Sequence, residues 1–354
     1  MWRPLTDWWP RDPLSQAGSR LISFAPREIR GSTRTAMRAQ SSPKATVPLA
    51  WLELPRLPLK SRQVRICVAA VGVNPVDWKM RAFEFLGIAQ RVLGPSGPLV
   101  VGIDVAGTIT EVGSAVTEFA VGDRVVGGTD FSKCERGSYA EEAIVTVDNC
   151  AKLPDEVPFD VAGALPVAGA TAWMALYEHG RLRERESPRV LILGAAGGVG
   201  HLAVQLASRV GAFAVGVCST RNVAFVESLG GTAVDYSRGD VSEAAKALGP
   251  FDVVLDCVGS DHYSRSFCRG LLAEDGVHVL VVPRGPDLPF LAFPGNTRTV
   301  LGRASRERLE GLLAAVVCGE LKVHIAERIP LGEAERAHDL SRGGKVVGKL
   351  VLVN

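Results

Sequence analysis

The sequence predicts an α/β protein that combines a doubly wound parallel sheet with a β-barrel-type domain, and three observations carry this prediction. From Met37 to about residue 150, short apolar runs alternate with Gly, Pro and Asp, as in domains built from many short strands. From about residue 160 to Pro283, apolar strands alternate with amphipathic helices, which indicates βαβ units. The closing run, KVVGKLVLVN, again has the pattern of a strand.

The chain is accordingly predicted to contain four segments. Residues 1–36 form an extension that we expect to be disordered, and residues 37–160 form the first part of the β-rich domain. Residues 161–295 form the parallel-sheet domain, and residues 296–354 return to the first domain. The parallel-sheet domain would then be an insertion in sequence terms.

Each element is justified by its local pattern. In the first domain, strands are predicted from the turn-bounded apolar runs VRICVAAVGV, PLVVGIDVAGTITEVG, GDRVVGG and GSYAEEAIVT. A helix is predicted over DVAGALPVAGATAWMALYEHG, where Gly180 serves as the C-cap. The sheet strands are predicted at VLIL, AFAVGVCS, TAVDY, FDVVLDCVG and GVHVLVV. The last helix is predicted over SRERLEGLLAAVVCGEL.

The composition excludes several classes of protein. Of 354 residues, 47% are apolar and 22% are charged, and the formal net charge of +2 gives no general attraction to nucleic acid or to membranes. No apolar run approaches the roughly 18 residues of a membrane helix. Seven scattered Cys residues predict neither a disulfide framework nor a zinc lobe. We therefore expect a protein of the reducing cytoplasm.

The first 36 residues differ from the rest, with six Arg, no Lys and three Trp. They lack the apolar core of a secretory signal. A disordered extension, or an upstream start codon with the true start at Met37, explains them most simply. Import into an organelle is the alternative, and Asp7 and Asp12 count against it.

The stretch VLILGAAGGVGHLAVQLA carries the strongest functional signal. A strand runs into a glycine-rich turn, and a helix with Leu202 and Leu206 on one face follows. Free amides at the start of this helix, together with the helix dipole, favour an anion such as a pyrophosphate. This is the Rossmann pattern of dinucleotide binding, and its alternative is a tight turn that binds nothing. The residues assigned to the cofactor are Gly194, Ala196, Gly197, Gly198, Val199 and Gly200.

The end of the second sheet strand predicts which dinucleotide is bound. An NAD site usually places an acid there for the ribose 2′-hydroxyl, whereas this chain has Ser219, Thr220 and Arg221. A hydroxyl and a guanidinium suit a 2′-phosphate, so we predict NADPH. Tyr236, after the next strand, is either a contact of the adenosine phosphate or a half-buried loop residue.

With these residues in view, the chain resembles the medium-chain dehydrogenase/reductase superfamily, in its zinc-free quinone and enone oxidoreductase branch. The resemblance covers nearly everything from Met37 to the end. It rests on the ordered blocks GVNPVDWKMR, VVGIDVAGTITEVG, VGDRVVGG, GSYAEEAIV, LPVAGATAWMAL, GAAGGVGHLAVQLA, VESLGGTAVDYS and GGKVVGKLVLV. It implies a GroES-like substrate domain, a Rossmann domain, a cleft between them and a homodimer.

The resemblance also bears on metals. The zinc-dependent branch carries a Cys where this chain has Asn74-Pro75-Val76-Asp77, and His-Glu where it has Ile103-Asp104. None of the six His residues lies at ligand spacing from another His or from a Cys. We therefore predict no catalytic metal.

Candidate catalytic residues lie in NPVDWK. By the resemblance, Asn74 and Lys79 line the nicotinamide and substrate site, and Asp77 pairs with Lys79 or another cation to fix the loop. The alternative is a surface turn whose ion pair contributes little. Trp78 and Phe83 are candidates for the wall of an apolar pocket or for ordinary core.

Three further residues are assigned to the cofactor. Thr171 is placed near the nicotinamide by the resemblance, and its alternative is a helix Thr bonded to its own backbone. Val258 and Gly259 end the fourth sheet strand and should edge the cofactor. Cys218 and Cys257 are expected to be core residues rather than nucleophiles.

These observations predict a zinc-independent, NADPH-dependent oxidoreductase that transfers hydride to a quinone or to the C=C bond of an α,β-unsaturated carbonyl. The substrate is a small molecule, and neither nucleic acid nor membrane is a predicted partner. One alternative is an enoyl reductase acting on a thioester or polyketide intermediate, for which Arg81 and Arg91 would supply a basic mouth. Another is an NADPH-binding protein without catalysis.

Overall fold

The computed structural model describes residues 36–42, 47–81, 97–259, 262–281, 287 and 295–354. All of them belong to one compact unit, residues 34–354. The predicted extension lies outside the described residues except for Ala36, and so do Phe83 and Arg91.

The structure contains the following strands and helices. The strands are β1 Ala36–Ser42, β2 Ala50–Pro55, β3 Gln63–Val73, β4 Leu99–Val100, β5 Asp104–Val112, β6 Arg124–Gly128, β7 Glu142–Thr146, β8 Cys150–Lys152, β9 Arg189–Leu193, β10 Phe213–Cys218, β11 Thr232–Asp235, β12 Phe251–Asp256, β13 Leu272–Leu280, β14 Thr297–Thr299, β15 Ile325–Pro330 and β16 Lys349–Val353. The α-helices are α1 Pro75–Arg81, α2 Phe159–Gly163, α3 Pro166–Trp173, α4 Gly200–Arg209, α5 Val223–Ser228, α6 Val241–Leu248, α7 Arg265–Arg269, α8 Arg306–Val317 and α9 Ala334–Arg342.

The β-rich part confirms the predicted GroES-like domain. Its main sheet has the strand order β15-β16-β3-β5-β6-β8, and β7 also pairs with β3. A smaller sheet has the order β2-β1-β4. The core of the main sheet is apolar and includes Val64, Ile66, Ile109 and Tyr139, all almost fully buried.

The second sheet confirms the predicted Rossmann fold. Its six strands are all parallel and lie in the order β11-β10-β9-β12-β13-β14. Separate apolar clusters cover its two faces, which explains why β9 is buried along nearly its whole length. β10 lies on one side of β9 and β12 on the other, so the strand order changes direction at β9. The carboxyl end of β9 is therefore the switch point, the place where open parallel sheets bind ligands.

The single helix predicted over residues 160–180 is interrupted in the structure. It consists of α2, then α3, then a π-helix over Met174–His179 that ends before Gly180. Pro166 is the reason for the first break, since its ring removes an N–H group and is tolerated only in the first turn of a helix.

At the C-terminus, β16 pairs antiparallel with β3 from Leu350↔Val73 to Val353↔Ala70. The predicted point of return is wrong in one detail. β14, beyond the boundary predicted at 295/296, pairs with β13 and extends the Rossmann sheet. Its sequence, Thr-Arg-Thr, has no apolar run, so the pattern gave no signal for a strand.

None of the described helices combines the length and the apolar character needed to cross a membrane.

Candidate active site

The glycine turn lies at the carboxyl end of β9 and leads into α4. Gly194 has φ +79°, a conformation that a residue with a side chain adopts only with strain. A Cβ at Gly200 would overlap the carbonyl oxygen of Gly194, so the start of α4 packs directly on the strand end. The amides of His201 and Ala203 bond the carbonyls of Gly197 and Val199, whereas those of Gly198, Val199 and Gly200 have no backbone partner among the described residues. The turn therefore fits a pyrophosphate, as the sequence predicts.

His201 fixes this turn, although the sequence analysis gave it no role. Its Nδ1 lies 2.9 Å from the carbonyl oxygen of Gly197, and its Nε2 accepts a hydrogen bond of 3.3 Å from the amide of His324. Because Nε2 accepts, Nδ1 carries the proton and donates to Gly197. Burial lowers the pKa of His201 to about 4, so the ring stays neutral. Gln205 binds the same segment, since its side-chain amide donates to the carbonyl of Lys322 and accepts from the amide of Lys322.

Beside the turn lies a buried polar network centred on Asn74, which directly follows β3. The Nδ2 group of Asn74 donates to Oδ2 of Asp104 at 2.9 Å, and its Oδ1 accepts from Nζ of Lys349 at 2.6 Å. Lys349 also donates to the carbonyl of Val73 at 3.1 Å and lies 3.7 Å from Asp104. Asp104 in turn accepts from the amide of Val167 at 2.7 Å. The orientation of the Asn74 amide is therefore fixed.

Asp77 extends this network from the first turn of α1. One of its oxygens accepts hydrogen bonds from the amide of Asn74 at 2.7 Å and from the hydroxyl of Tyr139 at 3.2 Å. Its other oxygen, Oδ1, is buried without a partner among the described residues. The sequence left open that NPVDWK is a surface turn, and the complete burial of Asp77 excludes that alternative.

Burial dominates the electrostatics of this network. It raises the pKa of Asp77 to about 7, and the charge of Asp104 adds to the effect. Burial also raises the pKa of Asp104 and lowers that of Lys349, because removing each charge from water outweighs their mutual attraction. A buried carboxyl group whose pKa is raised toward neutrality is a common property of functional sites.

Lys349 connects the network to the glycine turn. The amide of the preceding residue, Gly348, donates to the carbonyl of Ala196 at 2.8 Å. A Cβ at Gly198 would lie 3.1 Å from Cδ of Lys349, so the lysine stem packs against the turn. Strand β16 thus holds the glycine turn and Asn74 in one fixed arrangement.

Comparison with known proteins agrees with this geometry. Residues 60–155 match the family model of the alcohol dehydrogenase GroES-like domain, and residues 229–352 match that of zinc-binding dehydrogenases. A chloroplast envelope quinone oxidoreductase homolog from Arabidopsis thaliana is 31% identical over 91% of this chain and 99% of its own. A 2-haloacrylate reductase from Burkholderia sp is 32% identical over 82% of this chain and 90% of its own. The Escherichia coli quinone oxidoreductase, solved in complex with NADPH, superimposes with a TM-score of 0.72 at 25% identity, covering 91% of this chain and all of that one.

The chain belongs to the quinone oxidoreductases of the medium-chain dehydrogenase/reductase superfamily. It is an oxidoreductase of a nicotinamide-dependent family. The resemblance stated from its sequence motifs is confirmed.

In this quinone oxidoreductase, Ser219 and Arg221 follow β10 at the edge where the cofactor is expected. Arg221 is exposed, and its guanidinium donates to the carbonyl of Lys345 at 3.2 Å. Tyr236 is 54% exposed, and its amide bonds the carbonyl of Cys218, the last residue of β10. The structure therefore brings Arg221 and Tyr236 to adjacent strand ends and leaves both side chains accessible.

Asp235, at the end of β11, is an acid near this edge to which the sequence analysis gave no role. A hydrogen bond from Thr220 holds the pKa of its carboxyl below the usual range. The same side chain accepts from the amide of Ser237 at 2.9 Å and pairs with Arg238 at 3.4 Å. Its Oδ2, although 3.4 Å from Arg238, has no hydrogen-bond partner among the described residues.

Val258 and Gly259 follow β12, which ends at Asp256, whereas the sequence predicted that they end the strand. Both of their amides donate to Oδ1 of Asp256 at 2.8 Å, and Gly259 has φ +111°. The Asp256 carboxylate therefore shapes the loop that should edge the cofactor.

Thr171 is buried in α3, and its hydroxyl donates to the carbonyl of Val167 at 2.7 Å. A Cβ at Gly302 would overlap this hydroxyl, so the backbone at Gly302 covers it. This is the backbone-bonded helix Thr that the sequence left open as an alternative.

Lys79 lies on α1 with its Nζ 5.6 Å from the ring centre of Trp78. The indole of Trp78 donates to Ser341 in α9 at 3.2 Å. The predicted loop is a helix, and residues two apart on a helix point in different directions. The partners that the structure gives Asp77 are accordingly Asn74 and Tyr139.

Arg81 lies in a different environment from the one that the sequence suggested. Arg81, suggested as part of a basic mouth, is buried, pairs with Glu335 at 2.8 Å and donates to the carbonyl of Val47. Its charge is therefore used inside the fold.

Burial raises the pKa of Cys218 to about 11 and that of Cys257 further, which agrees with inert thiols.

Asp104 and Lys349 are the functional candidates that sequence reasoning missed. Asp104 was noted only as replacing a Glu of the zinc-dependent branch. Lys349 begins the otherwise apolar strand KLVLV, and a charge in a buried strand requires a partner. A lysine in a predicted buried strand was therefore the sequence signal that could have identified this residue.

Proposed function

We propose that this protein is a zinc-independent, NADPH-dependent reductase that transfers hydride to a quinone or to the C=C bond of an α,β-unsaturated carbonyl. The observation that carries the proposal is the connection of the glycine turn to the Asn74 amide through Gly348 and Lys349. Bound NADPH would supply the hydride. Relatives named as a quinone oxidoreductase homolog and a 2-haloacrylate reductase support these two acceptor classes.

The residues present fit the cofactor. The bare turn from Gly194 to Gly200 would hold the pyrophosphate on the first amides of α4. Ser219 and Arg221 would bind the 2′-phosphate, with Tyr236 beside it, because a guanidinium offers charged donors in a fork. Val258 and Gly259 would edge the nicotinamide.

The substrate side of the site would be formed by Asn74, Asp77 and Lys79. Hydride addition to a conjugated carbonyl places negative charge on the oxygen, and a fixed donor aimed at this oxygen lowers the barrier. The second Nδ2 hydrogen of Asn74 has only a long contact of 3.4 Å with the carbonyl of Gly72. It is therefore the donor that Lys349 and Asp104 keep in place, and this role requires no metal.

Two assays test the proposal. NADPH oxidation is followed with 1,2-naphthoquinone and with an enone, using chelator-treated protein, and Asn74→Ala is compared with Asn149→Ala. We expect turnover that survives chelation, and a loss on the order of 100-fold in kcat for Asn74→Ala alone. NADPH binding to the variant serves as the folding control. Tight NADPH binding without turnover over a broad acceptor panel would instead show a binding protein.

We also propose a homodimer of the cytoplasm, following the family resemblance and the seven free Cys residues. Light scattering of the purified chain measures the first property, and fractionation of the source cells measures the second.

A further inference from the structure

A second cluster of reactive side chains lies in the Rossmann sheet, apart from the Asn74 network. Asp256 ends β12, Cys268 lies on α7 and His278 lies on β13. All three side chains are buried, with at most 1% of any of them exposed. One carboxylate oxygen, the thiol sulfur and one imidazole nitrogen lie within 4.8 Å of one another.

Two buried polar atoms of these side chains lack a hydrogen-bond partner among the described residues. Among the described residues, Oδ2 of Asp256 and Nε2 of His278 have no hydrogen-bond partner. A buried polar atom without a partner costs free energy and is rare in folded proteins. Two such atoms on side chains that meet beside a thiol therefore indicate a ligand.

The other polar atoms of the two side chains have partners. Oδ1 of Asp256 accepts from the amides of Val258 and Gly259. Nδ1 of His278 lies 3.4 Å from Oγ1 of Thr297, which also accepts from Nε of Arg265 at 3.2 Å. A proton on Nδ1 leaves the lone pair of the unpartnered Nε2 available to a ligand. Metal ligands are held in this way, with one atom on the ion and the other bonded to the protein.

We propose that Asp256, Cys268 and His278 bind one Zn²⁺ ion, with a water molecule as the fourth ligand. Thiolate, imidazole and carboxylate together are a donor set for zinc and exclude the oxygen-preferring Mg²⁺ and Ca²⁺. Zinc bonds of about 2.0–2.3 Å place tetrahedral ligand atoms roughly 3.5 Å apart. Closing the cluster from 4.8 Å requires inward shifts of less than about 1 Å for each atom.

This zinc would be structural. It would join β12, β13 and α7, and through Asp256 it would stiffen the loop of Val258 and Gly259 at the cofactor edge. The carboxylate and the thiolate together balance the charge of the ion. The site is built from residues other than those at the catalytic metal positions of the zinc-dependent branch, so it is compatible with zinc-independent hydride transfer.

The test measures metal rather than turnover, so its outcome is independent of the proposed reaction. The full chain is loaded with Zn²⁺, desalted and analysed by mass spectrometry of the metal. We expect one zinc per chain, lost in Cys268→Ala and in His278→Gln. Cys150→Ala, which removes a buried thiol from the other sheet, should keep it.

The Co²⁺-loaded wild-type chain provides a second measurement that needs no variant. We expect a thiolate-to-cobalt charge-transfer band in the near ultraviolet, and a fall in Tm on chelation. Absence of this band, no zinc in the wild type, or equal zinc in Cys268→Ala and Cys150→Ala would each overturn the proposal.

Discussion

Nζ of Lys349 lies 2.6 Å from Oδ1 of Asn74, although 275 positions separate the two residues in the sequence. The lysine comes from β16 and the asparagine from the end of β3, and the two strands pair antiparallel. Their contact orients the amide that is proposed to face the substrate. Its consequences for stability and catalysis are open to measurement.

Replacing Lys349 by Met should destabilise the protein by about 3–5 kcal/mol, because the charge of Asp104 is left buried without its partner. It should also lower kcat, since Asn74 loses its fixed orientation. Urea unfolding and steady-state kinetics measure the two effects, and Lys345→Met, an exposed change in the same segment, is the control. The double variant Lys349→Met/Asp104→Asn should recover part of the stability. Strict additivity of the two single changes would contradict the pairing.

Asp77 should make stability depend on pH near neutrality. Its pKa is about 7 in the folded chain, against about 3.9 when unfolded, so folding favours the protonated form. The resulting stabilisation is complete below about pH 4 and is lost as the pH rises through 7. The free energy of unfolding of Asp77→Asn, relative to that of the wild type, should therefore be roughly 2–3 kcal/mol higher at pH 8 than at pH 5. Urea unfolding at both pH values gives this difference, and parallel pH profiles would refute the shift.

Arg221→Ala should weaken NADPH binding selectively. Loss of a charged hydrogen bond to the 2′-phosphate predicts a rise of about 10–100-fold in KM for NADPH and little change for NADH. Arg209→Ala, which removes an exposed guanidinium paired with Glu320, is the matched control. An equal change for both cofactors would mean that Arg221 does not recognise the phosphate.

Gly200→Ala should disrupt the cofactor site. The added Cβ would overlap the carbonyl of Gly194 and push α4 away from β9, so NADPH affinity and Tm should both fall. Gly239→Ala adds the same atom where no heavy atom lies within 4 Å, and it should leave both quantities unchanged. Fluorescence titration of NADPH and thermal unfolding make the comparison. Unchanged affinity in Gly200→Ala would exclude the turn as the pyrophosphate site.

A chain that starts at Met37 should keep full activity. Met37 and Leu54 pair in the small sheet and are both buried, so the fold has a well-packed first strand from this point on. Yield, Tm and turnover of the shortened chain are compared with those of the full chain. Lost solubility or turnover would show that residues 1–36 contribute to the fold.

Local patterns in the sequence determined most of the architecture. Apolar runs gave the strands from β9 to β13, because both faces of a parallel sheet are buried and leave a continuous signal. The glycine turn could also be predicted, because the steric requirements at Gly194 and Gly200 act within seven residues of the chain. Patterns failed for β14, which has three polar residues, and for the helix that Pro166 interrupts.

Only the tertiary structure decided which polar groups meet. Asn74, Asp104 and Lys349 come together because β3, β5 and β16 lie side by side, and no spacing in the chain encodes that neighbourhood. Asp256, Cys268 and His278 converge for the same reason, although none is at ligand spacing in the sequence. Hydrophobic periodicity depends on near neighbours, whereas a buried charge is defined by partners that folding brings from distant strands.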